Sequence, residues 1–115
     1  MTVTEALESF YEVFSSALGT RDFDRLSQLY TDEAIFLASG ARPVIGNRRI
    51  SDLLEGSAPT AETTFEVGEV PDDGYLMVDI GWILNDASRV SRFVGVYRRQ
   101  SDATQKMAVD VPMKA

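Results

Sequence analysis

From residue 63 to residue 111 the chain repeats one pattern. A long run rich in β-branched and aromatic side chains is followed each time by a quartet of turn residues. The quartets are "PDDG", "NDAS" and "SDAT", and they separate strand-like stretches at 63–70, 75–85, 89–100 and 104–111. Parallel neighbours need a crossover of a dozen or more residues, so connections this short can join only antiparallel strands. The second half of the chain is therefore expected to be an antiparallel meander.

The first half has helical spacing instead. Thr2 to Leu18 carries apolar residues at 3, 6, 7, 10, 13, 14, 17 and 18, and Thr2 and Glu5 stand as a capping box. Gly19 is the expected left-handed stop. A second helix is expected from Phe23 to Tyr30 with Asp22 as its N-cap, followed by the strand "EAIFLA" and the loop "SGARPVIGN". A third helix, "NRRISDLLEG", begins at Asn47 and stops at Gly56. Three helices followed by a meander predict an α+β fold with the N-terminal helices packed on one face of a curved antiparallel sheet. At 115 residues the chain is expected to form one domain.

Composition excludes several kinds of chemistry. There is no histidine and no cysteine, so Ser-His and His-Asp base pairs, a Cys nucleophile and ordinary zinc sites are all absent. No cofactor and no metal are expected. A net charge of −7 disfavours nucleic acid and anionic membrane surfaces, which are bound through Lys and Arg. No apolar run is long enough to span a bilayer and the N-terminus lacks a basic-then-apolar leader, so a cytoplasmic location is expected.

Alternation along the strands sorts the faces. In 75–85 the uniformly apolar set is Val78, Ile80, Trp82 and Leu84, which is expected to face the helices, with Met77, Asp79, Gly81 and Ile83 outside. In 89–100 the core set is Phe93, Gly95 and Tyr97. The other face of the sheet, with Val94, Val96, Val109 and Val111, is too apolar for open water, and a homodimer through it is expected.

The order of "FSSALGTRDFDRLSQLYTDEAIF", "ARPVIGNRRISDLL", "FVGVYRRQ" and "KMAVD" resembles the nuclear transport factor 2-like superfamily, the cystatin-like cone or roll shared by ketosteroid isomerases and polyketide-cyclase-like proteins. The resemblance covers essentially the whole chain and implies a concave sheet closed by helices. In ketosteroid isomerases it also implies a first-helix Tyr, a base at the end of the first strand and a second Asp on a later strand. Those positions hold Phe14, Ala38 and Gly95 here, so the isomerase catalytic set is missing. Neither flanking residue, Leu37 or Ser39, is a base at neutral pH.

One carboxylate falls on the expected inner face. Asp110, in "KMAVDVP", must be paired, hydrogen-bonded or protonated there. It is the candidate catalytic or anchoring group; the plainer reading is a structural carboxylate bonded to a group such as Tyr11, or a strand end in water. Phe14, Leu18, Phe36, Trp82, Phe93 and Tyr97 are the candidate lining of a pocket for an apolar ligand, against a plainer reading as core packing. Arg42, Arg48 and Arg49 near the third helix, and Arg98 and Arg99, read as solvated surface before they read as anion sites. Asp32–Glu33 and Asp72–Asp73 are accounted for by helix-end and turn chemistry. Three functions remain open: a binder of small apolar molecules, an assembly module with a filled cone, and an isomerase, cyclase or dehydratase-type enzyme using Asp110.

Overall fold

The computed structural model describes residues 2–38, 40–57, 63–69, 76–102 and 104–113. The "PDDG" quartet and Ser39 lie outside the described residues. The elements are α1 (Val3–Gly19), α2 (Phe23–Ser27), β1 (Tyr30–Phe36), β2 (Val44–Ile45), α3 (Asn47–Ser57), β3 (Thr63–Glu69), β4 (Leu76–Asn85), β5 (Ser88–Arg99) and β6 (Gln105–Pro112). Among the described residues no helix is long and apolar enough to cross a membrane.

The capping box forms as expected. Thr2 Oγ accepts from the Glu5 N–H and the Glu5 carboxylate accepts from the Thr2 N–H. Asp22 caps α2 through the Arg25 N–H. The stop of α1 differs: Gly19 stays helical, Thr20 is the C-cap, and the left-handed residue is Arg21 at φ 58°. Helix α2 is also shorter than expected. Tyr30 opens β1 rather than closing a helix, because its ring is buried and the Met107 N–H donates to the Leu29 carbonyl, drawing this segment into the sheet.

Among the described residues six strands lie in the order β2-β1-β6-β5-β4-β3. The meander from β3 to β6 is antiparallel throughout, while β1 inserts beside β6 in the parallel sense, so the sheet is mixed. The expected loop at 44–45 pairs briefly with β1 as β2.

Two bulges decide which side chains face inward. The hairpin of β4 and β5 closes on Asp86 and Ala87, at φ 51° and 63°, which pairs Asn85 with Ser88. Continued unchanged, that register would pair Phe93 with Ile80 and bring the Val78, Ile80, Trp82, Leu84 face inward. Between Ile83 and Leu84 the register slips by one, leaving Val90 as the extra residue, 47% exposed. Phe93 pairs with Gly81 instead, and β4 turns over. Met77 and Asp79 are buried, and Val78, Ile80, Trp82 and Leu84 lie on the outer face. The expected orientation of β4 is thus reversed. A second slip, between Val96 and Tyr97 of β5, makes Ala108 the extra residue in β6 and lets Met107 and Asp110 both face the interior.

Candidate functional site

The concave side of the sheet, beneath α1 and α3, holds a partly open cavity of about 290 Å³. Helix α1 contributes Tyr11, Phe14 and Leu18, and α3 contributes Leu54. The strands contribute Phe36, Thr63, Phe65, Ile83, Phe93, Met107, Asp110 and Pro112. Edge-to-face aromatic contacts stiffen the wall: the Phe65 ring centroid is 5.2 Å from that of Phe14 and 5.7 Å from that of Phe93. The lining is almost wholly apolar, so a polar group in it stands out.

Two buried carboxylates share one row of the sheet. Asp79 pairs with Gly95 across β4 and β5, and Gly95 pairs with Asp110 across β5 and β6. Their Cα atoms are therefore about 10 Å apart, two strand spacings. Their surroundings separate their roles.

Asp79 is fully buried and fully engaged. Its Oδ2 accepts the Tyr11 hydroxyl at 2.5 Å and its Oδ1 accepts the Gly68 N–H at 2.8 Å. With the Tyr11 proton directed at Asp79, the Tyr97 hydroxyl, 2.5 Å away, donates to the Tyr11 oxygen. Glycines make this cluster possible. A Cβ on Gly95 would collide with the Tyr97 hydroxyl, which lies folded over that residue. A Cβ on Gly68 would collide with the Ile80 carbonyl, so only glycine brings the bulged β3 backbone close enough to donate to Asp79. Burial raises the Asp79 pKa, and the Tyr11 and Gly68 hydrogen bonds and the Arg92 charge pull it back. Burial is also the main reason that Tyr11 and Tyr97 titrate far above the usual phenol range.

Asp110 is 9% exposed and only half engaged. Its Oδ2 accepts the Tyr30 hydroxyl at 2.8 Å; its Oδ1 takes no hydrogen bond among the described residues. Tyr30, not Tyr11, is its partner. Burial lifts its pKa to about 6, partly offset by the Tyr30 bond. At neutral pH this carboxyl is therefore mainly ionised, and it lies on the cavity wall.

Of the pocket residues expected from sequence, Phe14, Leu18, Phe36 and Phe93 lie on the cavity wall. Tyr97 is buried behind the wall, in the Asp79 cluster. Trp82 is not in the cavity. It lies half-buried on the outer sheet face, with the Arg92 and Arg89 guanidinium carbons 4.3 and 4.6 Å from its ring centroid. Arg89 is also paired with Glu66. Sequence reasoning missed Phe65, Ile83 and the Asp79 cluster. The available signal was three glycines in strand-like stretches, Gly68, Gly81 and Gly95, which mark close approaches. Ala38 is half-buried against the core and supplies no functional group at the isomerase base position.

No protein-family model matches the chain, and no curated protein matches it in sequence. Solved structures do match it in fold. An NTF-2-like protein of unknown function from Shewanella oneidensis superposes with a TM-score of 0.78 at 14% identity, covering 98% of this chain and 100% of that one. A ketosteroid isomerase-like protein from Erwinia carotovora atroseptica gives 0.71 at 15% identity, covering 96% and 95%. A Xanthomonas campestris protein described as a calcium/calmodulin-dependent protein kinase II association domain gives 0.72 at 13% identity, covering 95% and 85%. At these identities the likeness establishes the architecture: this chain has the nuclear transport factor 2-like, ketosteroid isomerase-like cone fold.

Proposed function

We propose that this protein binds a small apolar molecule inside the cone, with Asp110 as the polar contact that orients it. The observation that carries this reading is the volume left open behind the aromatic wall. A cone used only as scaffold would be packed to ordinary interior density, with voids no larger than a few waters. A cavity of about 150 Å³ holds benzene. The 290 Å³ here therefore accommodates a two-ring body. Any turnover of the bound molecule would centre on Asp110, since the other buried carboxylate, Asp79, is already saturated by Tyr11 and Gly68.

Calorimetric titration with naphthylmethanol tests the reading. One molecule is expected to bind per chain, and Leu54→Trp, which directs an indole into the cavity, is expected to abolish binding while the fold is retained. An unsubstituted protein that binds neither this alcohol nor the amine or carboxylate of the same two-ring body refutes it.

The outer sheet face supports a second element of the proposal, a homodimer through that face. Val78, Ile80, Trp82 and Leu84 replace Met77 and Ile83 on it, beside Val94, Val96, Val109 and Val111, which makes it more apolar than the sequence alone implied. The association-domain description of the Xanthomonas protein is in keeping with this use of the fold.

A further inference from the structure

The walls around the cavity select a charge as well as a size. Two hollows share Tyr11 and Phe65: the partly open cavity inside the cone, and a wider surface hollow of about 410 Å³ between α1 and β3. The surface hollow is lined by Glu8 and Glu12, one turn apart on α1, with Ser15 and Thr64. No Lys or Arg among the described residues lines either hollow. Among the described residues, the carboxylate with an unused oxygen on the wall is Asp110: the residue is 9% exposed, and its Oδ1 opens onto the pocket and takes no hydrogen bond.

A carboxylate oxygen that opens onto an apolar pocket with no protein donor accepts a hydrogen bond strongly, and most strongly from a cation. A carboxylate ligand in the same place would meet like charge in an apolar enclosure, with nothing basic to offset it. On these grounds we propose that the ligand is an apolar amine, or a similar cationic donor on a two-ring-sized body, with its N–H directed at Asp110 Oδ1, and that carboxylate ligands are rejected. Glu8 and Glu12 attract such a cation to the surface hollow, and Phe65, half-buried between the two hollows, stands where it would pass inward.

This inference rests on the binding reading above, and the test separates the two. Naphthylmethylamine, naphthylmethanol and naphthoate share one apolar body and differ in the polar group. Calorimetry at pH 7.5 on the unsubstituted protein is expected to show the amine binding about tenfold or more tighter than the alcohol. Naphthoate is expected not to bind. In Asp110→Asn the amine preference should vanish, the amine losing about tenfold or more and falling to the level of the alcohol. If the alcohol binds as tightly as the amine, or naphthoate binds best, the charge inference fails while the binding reading stands. If none of the three binds, both fail. If Asp110→Asn still prefers the amine, the contact with Asp110 is refuted. The comparison of the three probes on the unsubstituted protein needs no variant, so it decides the matter even if Asp110→Asn does not fold.

Discussion

Asp110→Asn is expected to make the protein more stable at neutral pH, and the reason can be worked from the structure. The folded protein holds the Asp110 proton up to about pH 6, whereas an unfolded Asp releases it near its usual value of 3.8. Between those values the folded state carries the extra proton. This group's contribution to stability is therefore complete below about pH 4, declines as pH rises, and is flat above about pH 6 to 7. The full difference corresponds to about 3 kcal/mol at neutral pH, as an order of magnitude. Asparagine keeps an acceptor for the Tyr30 hydroxyl and removes the charge. Urea denaturation of both proteins between pH 5 and pH 8 should show the variant more stable at the upper end, by about 1 to 3 kcal/mol. The gap should narrow to roughly half by pH 5. Asp79, raised in the same direction, adds slope to both curves, so the difference between them isolates Asp110. A variant less stable than its parent at pH 8, or two parallel curves, would refute the account of Asp110 as a carboxylate whose charge is disfavoured by burial.

Other substitutions probe the neighbouring structure. Tyr11→Phe removes the hydroxyl between Asp79 and Tyr97, and should cost about 2–3 kcal/mol in chemical denaturation because it leaves a buried carboxylate oxygen without its donor. Gly95→Ala drives the Tyr97 ring out of its place and should destabilise by about 1–3 kcal/mol, read as a lower urea midpoint with an unchanged slope. Val96→Glu, on the outer face of a central strand, should convert a dimer to a monomer in sedimentation without loss of the far-ultraviolet circular dichroism; a dimer that survives it rules out that face. Trp82 emission should shift on dilution through dimer dissociation and stay fixed when the cavity is filled, the reverse of what an inward Trp82 would do.

The sequence carried the fold because its strongest signals are local. The capping box at Thr2 and Glu5, the Asp22 cap and the "NDAS" turn each specify their own few residues, and the structure has them there. Phe14, Leu18, Phe36 and Phe93, expected as pocket residues, lie on the wall with Asp110; in β6, alternation alone puts Met107 on the face opposite Asp110, and the extra residue Ala108 turns both inward. The orientation of β4 was not legible, because it is set by one unpaired residue, Val90, whose slip reverses every side chain beyond it. Alternation also misled: an Asp on one face and a Trp on the other suggested outside and inside. Here the Asp is inside because Tyr11 and the Gly68 amide come from distant segments to satisfy it. The Trp is outside because two arginines of β5 stack on it. Neither partnership can be read from the strand that carries the residue.

The central claim is that the cone is open and takes a small apolar molecule, and the methionine methyl groups report on it directly. Met107 lies on the cavity wall, while Met113 is exposed at the end of the chain's last strand. In protein labelled with carbon-13 at the methionine methyls, titration with naphthylmethanol should move the Met107 resonance in a saturable, one-to-one fashion and leave Met113 in place. A Met107 resonance that does not move at saturating probe, or one that moves only together with Met113, would contradict it.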